Sequence, residues 1–168
     1  LATRLRPVTI ERKIVVKPRD SDLVIHGTLD VITRPENVAE EIARDTIRDL
    51  KTSAKAPNKE AANNSQQLSM YAMIRAAEVG ILPESLALDY IWQTPAKKEL
   101  KLQEQITTRG PEHIHALVNR LNTAVEGVAR GVFIPADPAM AWWCAAKWCG
   151  YWQTCPYVAR GDGKRPTV

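Results

Sequence analysis

Asp30, Asp49 and Lys51 are the residues of this chain whose types and spacing could carry out a reaction. They lie in the stretches "HGTLD" and "IRDLKTS". Side chains at i and i+2 of a strand leave the same face, so Asp49 and Lys51 would stand side by side. Two carboxylates from neighbouring strands make a compact oxygen ligand set for a hard cation, Mg²⁺ or Mn²⁺. Such a cation makes a water nucleophilic and neutralises a leaving oxygen, the two needs of phosphodiester hydrolysis. A lysine two residues beyond one carboxylate can orient that water and stabilise charge on the phosphorane. Taken alone, Asp-x-Lys is more often a surface or strand-edge charge pair, because so short a motif recurs by chance.

Two further polar residues follow. In "QLSMY", Gln67 and Tyr71 are i and i+4, so on a helix they share a face. Their tips suit a phosphate or the lysine. Read in isolation, the pair is more often a packed tyrosine beside a solvated glutamine.

The elements that must position these groups are legible from periodicity. From Pro7 to Lys17, Val8, Ile10, Ile14 and Val16 share one parity, which predicts a strand. "KPRDSD" is a turn by composition. In "LVIHGTLDVI", Leu23, Ile25, Leu29 and Val31 alternate with Val24, His26, Thr28 and Asp30. That predicts a second strand with Asp30 on the face opposite its main apolar set. "TRPENVAEE" reads as a polar connection, and a third strand is expected from about Arg44 to Thr52. Short links between successive strands predict an antiparallel meander. Between Asn58 and Glu78 the period becomes helical through Met70, Met73, Ile74 and Ala77, with Gly80 and Pro83 as stop signals. "SLALDYIWQT" returns to alternation, and "KLQEQITT" reads as one more strand. A last helix starts at Pro111, carries Ile114, Leu117, Val118, Leu121, Val125 and Val128 on one stripe, and ends at Gly131. This order predicts an α/β or α+β domain with a mixed central β-sheet flanked by helices.

Composition sets outer limits. A chain of 168 residues with 45% hydrophobic and 25% charged content can bury a core as a single domain. No run approaches the roughly 18 apolar residues of a membrane span, and "LATRLRPVTI" lacks a signal-peptide apolar region. The expected location is cytoplasmic. A net charge of +4 suits a polyanion partner without establishing one. Lys55, Lys59, Lys97, Lys98, Lys101 and Arg109 are candidates to track a phosphate backbone, or a solvated surface. The opening at Leu1, straight into strand-like sequence, suggests that an N-terminal part is missing.

Gly27-x-x-Asp30, Asp49-x-Lys51-Thr52-Ser53 and Gln67-Leu68-x-x-Tyr71, in this order, resemble the PD-(D/E)XK nuclease superfamily, and within it the RecB-like branch that includes phage-type exonucleases. The resemblance runs from about Val8 to Cys155. It implies a restriction-endonuclease-like core and a metal-dependent DNA exonuclease of phage or bacterial recombination, acting on DNA beside recombination partner proteins. It implies that Asp30, Asp49 and the backbone carbonyl of Leu50 hold the metal, that Lys51 assists the water, and that Gln67 and Tyr71 support the site. It also implies a histidine on a helix upstream of the first strand. No residue here matches it, and His26, inside a strand, does not take the role.

The three cysteines crowd into "WWCAAKWCGYWQTCPY", with Cys144, Cys149 and Cys155 spaced C-x4-C-x5-C. Three thiolates this close suit an iron–sulfur cluster or zinc, or pack as reduced cysteines among Trp142, Trp143, Trp148 and Trp152. His113 and His115, at i and i+2, make a poor joint ligand pair for zinc. The resemblance implies a 4Fe-4S cluster whose fourth cysteine lies before the nuclease core and is not in this chain. Within one nuclease-like domain over 1–168 we distinguish a catalytic core (7–94), an accessory strand and helix (95–135), a Cys/Trp-rich segment (142–157) and a tail (158–168). The reading from a different functional class is a nuclease fold without catalysis that binds DNA or acts as a scaffold.

Overall fold

A computed structural model describes residues 5–17, 24–35, 45–93, 99–133 and 143–157. The chain divides into two compact units, Leu1–Leu121 and Asn122–Val168. Residues 18–22 of the expected turn, residues 36–41 of the expected polar connection, Arg44, Lys97, Lys98, Trp142 and the tail lie outside the described residues.

The first unit is built on a five-stranded sheet in the order β1-β2-β3-β4-β5. Its strands are β1 (Leu5–Val16), β2 (Ile25–Pro35), β3 (Thr46–Ser53), β4 (Ser85–Gln93) and β5 (Leu100–Thr107). β1, β2 and β3 pair antiparallel, as the short links require. β3 and β4 pair parallel, and helix α1 (Gln66–Val79) is the crossover between them. β5 returns antiparallel to β4. The sheet is therefore mixed, as the alternation of periods predicts.

Two boundaries differ from the sequence reading. β2 continues through Thr33 and Arg34, which pair with Thr46 of β3 and Arg6 of β1. The helix begins at Gln66 rather than near Asn58. Ser65 caps it by accepting the Leu68 N–H at 3.2 Å, and the preceding residues form turns in which Asn58 Oδ1 accepts the Glu60 N–H. At the other end Gly80, at φ 83°, donates to Ala76 O at 2.8 Å and stops the helix.

The core lies between the sheet and α1. Leu29, Ile32, Ile47, Leu68, Ile74 and Leu86 are fully buried there, each contributing about 1.5–3 kcal/mol by leaving water. Gly27 allows this closeness, since a Cβ at that position would stand 2.6 Å from Ile74 Cδ1 and the end of that side chain would have to shift. Leu29 and Ile32 are of opposite parity, yet both enter the core. Facing them on β1, the pairs Ile10–Val31 and Arg12–Leu29 bracket Glu11, whose φ is 50°. A left-handed residue in a strand turns the ladder locally, and here it sits across from Asp30.

Helix α2 (Pro111–Ala129) starts where expected, and Ile114 and Leu117 are the residues of its stripe that pack in the first unit. In the second unit, Trp143, Trp148, Tyr151 and Tyr157 are exposed and Trp152 is half-buried.

Candidate active site

The site grows out of the place where β2 and β3 part. Their ladder runs from Thr33–Thr46 to Val31–Arg48. Continued by one rung, it puts Asp30 opposite Asp49. Instead of a backbone partner, the Leu50 N–H takes the Asp30 carboxylate, Oδ2 accepting at 2.9 Å. The N–H and C=O of a strand residue lie on the same edge, so the Leu50 carbonyl faces the gap that Asp30 enters. The Leu50 side chain is exposed on the far face of the sheet and leaves only backbone at the site.

Asp49 faces α1 with Ile47 and is 1% exposed. Its Oδ2 lies 2.7 Å from Lys51 Nζ, but that contact lacks hydrogen-bond geometry, and the oxygen has no hydrogen-bond partner. A buried carboxylate oxygen held only by an ion contact is costly, and it is what a cation would satisfy.

Gln67 and Tyr71 close the arrangement from α1. Lys51 Nζ donates to Gln67 Oε1 at 2.9 Å, Gln67 Nε2 donates to the Tyr71 hydroxyl at 2.8 Å, and that hydroxyl donates to Asp49 Oδ1 at 3.4 Å. Gln67 and Tyr71 each take one bond and give one, and the Asp49–Lys51 ion contact closes the ring. Burial first, then the charges of Asp49 and Asp30, push the Tyr71 phenol up, while the Gln67 bond and Lys51 oppose them. Tyr71 is thus a neutral donor that feels both carboxylates at once. The sequence-predicted residues Asp30, Asp49, Lys51, Gln67 and Tyr71 come together in one place.

The family model for the PD-(D/E)XK nuclease superfamily matches residues 1–156. The chain belongs to the PD-(D/E)XK nuclease superfamily. No curated protein matches it. Among solved structures it is similar to one described as "Crystal structure of SSO0001", with 19% identity and a TM-score of 0.49. That match covers 88% of this chain, which spans 59% of the other's length. The mixed five-stranded sheet agrees with the restriction-endonuclease-like α/β fold of that superfamily.

Donor chemistry bears on the metal such nucleases use. Asp30 and Asp49 are hard oxygen ligands, and the Leu50 carbonyl adds to them, a set that fits Mg²⁺ or Mn²⁺. Among the described residues no group of three or more His, Cys, Asp and Glu is arranged to hold a metal ion. Asp30 and Asp49 are two, and a backbone carbonyl is outside that count. Cys144, Cys149 and Cys155 are free, half-buried thiols that do not gather into such a group. They do not fit a cluster as they stand. His113 is engaged with its own turn, accepting the Gly110 N–H at 3.1 Å, and His115 meets Asn119.

Sequence reasoning missed the residues that hold α1 over the site. Arg109 is buried and donates to Ser69 Oγ, Thr107 Oγ1 and the carbonyls of Ala62, Asn63, Ser65 and Thr108. It fixes the turn before α1 and does not track a phosphate backbone. Gln105 of β5 fixes the same turn, accepting from Ala62 N–H and donating to Asn58 O. At the other end of α1, Asp45 accepts from Arg34 and Arg75. Arg75 also meets Glu78, which binds Arg12. No local signal marks these residues, because only the fold gives them their partners.

Proposed function

We propose that this chain is a metal-dependent deoxyribonuclease that cleaves phosphodiester bonds, acting as an exonuclease in phage or bacterial DNA recombination or repair. The observation that carries the reading is the buried Asp49 oxygen without a hydrogen bond, flanked by Asp30 and Lys51. In this reading Asp30, Asp49 and the Leu50 carbonyl hold Mg²⁺ or Mn²⁺. The bound ion would lower the pKa of a water and neutralise the leaving oxygen.

The chain's own groups do the rest. Lys51, drawn to Asp49 and steadied by Gln67, places a positive charge where negative charge builds up on the phosphate. Gln67 fixes the lysine's rotamer through a neutral amide that takes no proton. Tyr71 holds Asp49 from the other side and fixes the carboxylate plane. No cluster enters this mechanism, since the cysteines are not arranged as a ligand group.

The test is cleavage of linear and closed circular DNA with Mg²⁺, Mn²⁺ or EDTA, beside Lys51→Ala. We expect metal-dependent loss of linear DNA, a closed circle left intact, and no cleavage by Lys51→Ala. Cleavage of the circle would overturn the exonuclease reading. DNA bound but never cut, under either metal, would make the domain a binding module.

A further inference from the structure

The face that carries the site continues onto β4 and β5. Across the parallel ladder Lys51 pairs with Tyr90 and Ser53 with Trp92. Across the next ladder Trp92 pairs with Lys101. Residues paired in register leave the same face of a sheet. Leu88 is in the core and Tyr90 packs on it, so Trp92, two residues on, shares their face and that of Lys51. With a rise of about 3.3 Å per residue and strands about 4.8 Å apart, the backbone of Trp92 lies roughly 8 Å from that of Lys51. That is the reach of roughly two nucleotides along a strand, at about 3.4 Å each.

Trp92 differs from the aliphatic residues that precede it on β4. It is half-buried and is not among the residues packed on the core. Its ring carries a cation: Lys101 Nζ sits 5.6 Å from the centroid, on an exposed side chain. An exposed cation–π contact contributes only about 0.5–1 kcal/mol. A base stacked on the same ring contributes about 1–3 kcal/mol. A base and its phosphate can therefore take the ring and the ammonium from each other, with a net gain.

We propose that Trp92 and Lys101 form a subsite beside Asp49 and Lys51 that stacks one unpaired base and holds its phosphate, so that the chain prefers single-stranded or frayed DNA ends. Its place next to the reaction rests on the nuclease reading, but its existence does not. A paired base in a duplex cannot lay its face on Trp92 without leaving its stack, whereas an unpaired base can. Stacking does not depend on which base it is, so the subsite selects strandedness and not sequence.

The test is anisotropy titration of the full chain, in EDTA, with fluorescein-labelled oligothymidylate and with a blunt duplex. Trp92→Leu should weaken binding of the single strand about 10-fold or more, with the duplex little changed, while Trp92→Phe keeps most of the affinity. Lys101→Gln should reduce the slope of log affinity against log salt by about 0.7 for the single strand. Thermal unfolding of each variant identifies any loss that comes from the fold. If Trp92→Leu does not fold, an unchanged affinity and slope in Lys101→Gln overturns the proposal alone. Trp92→Leu binding like the wild type overturns it, as does an equal loss on both DNAs. Because binding is read without metal, a wild type that cuts nothing but loses single-strand affinity on Trp92→Leu separates the two readings.

Discussion

Asp30 Oδ2 accepts the Leu50 N–H at 2.9 Å, one rung beyond the last backbone pair of β2 and β3. The carboxylate thus ends the ladder and forms the site with the same atom group. This double role separates the effects of two substitutions. Asn keeps an oxygen that can accept the Leu50 N–H but has no charge. Asp30→Asn should lose roughly 100-fold or more in cleavage, the scale of removing one preorganised group from a reaction centre, with a nearly unchanged unfolding midpoint. Asp30→Ala should lose as much cleavage and also about 1 kcal/mol of stability, because a strand N–H loses its partner. Equal midpoints for the two variants would show that the bond does not hold β3 in place.

The ring through Gln67 predicts that two conservative changes differ. Tyr71→Phe removes one hydroxyl that accepts from Gln67 and donates to Asp49, a loss of about 1 kcal/mol or roughly 5-fold in rate. Gln67→Ala frees both Lys51 and Tyr71, and should cost more in kcat than Tyr71→Phe with little change in KM. Single-turnover cleavage at saturating metal checks the order. A Tyr71→Phe enzyme slower than Gln67→Ala would give the tyrosine a role beyond holding Asp49.

Tyr71 also predicts a pH effect at the alkaline end. Burial first, then Asp49 and Asp30, raise the phenol above its usual value. The folded chain therefore holds this proton more tightly than the unfolded chain does. The stability tied to it is fully present below the ordinary tyrosine pKa of about 10, and is lost as pH rises through the folded value. Above pH 10 the unfolding midpoint of the wild type should fall faster than that of Tyr71→Phe. Denaturation scans of the pair from pH 8 to 11 read this difference, and parallel curves would count against it.

The parts of this fold that sequence made legible are those set by local chemistry. Alternation marked β1, β2 and β4, and the change of period at α1 marked the crossover that makes β3 and β4 parallel. The start of α1 was misplaced because Asn58 to Ser65 reads as helix-compatible, while Asn58, Gln105 and Arg109 bind its backbone groups as turns. Asp30 was assigned to the face away from the apolar set by strict alternation. Along β2 that alternation does not run through, since Leu29 and Ile32, of opposite parity, are both in the core; the β1–β2 register shifts between Pro7 and Thr9, and no residue type announces such a bulge. Arg109 read as a phosphate-tracking or solvated charge because a buried charge is defined by partners distant in sequence. Trp92 and Lys101 are close in sequence, but only the register of β4 and β5 makes them face each other.

Arg109 yields the strongest structural prediction. The residue is 6% exposed, and every acceptor described above is neutral. Burial pulls its pKa down, yet arginine stays charged at any working pH. The cation is held by carbonyl and hydroxyl dipoles at the turn before α1, so the planar fork matters as much as the charge. Lysine has three donors on one atom and cannot reach the acceptors on both sides. Arg109→Lys should therefore destabilise the fold by about 2–3 kcal/mol, and Arg109→Met by more, because it removes every bond from this side chain to the carbonyls of Ala62, Asn63, Ser65 and Thr108 and to the hydroxyls of Ser69 and Thr107. Urea unfolding gives these values. Under conditions where Arg109→Lys is still folded, its cleavage should drop with kcat, since the same turn sets where Gln67 meets Lys51. Full activity in a clearly destabilised Arg109→Lys would mean that α1 holds its place through the core alone.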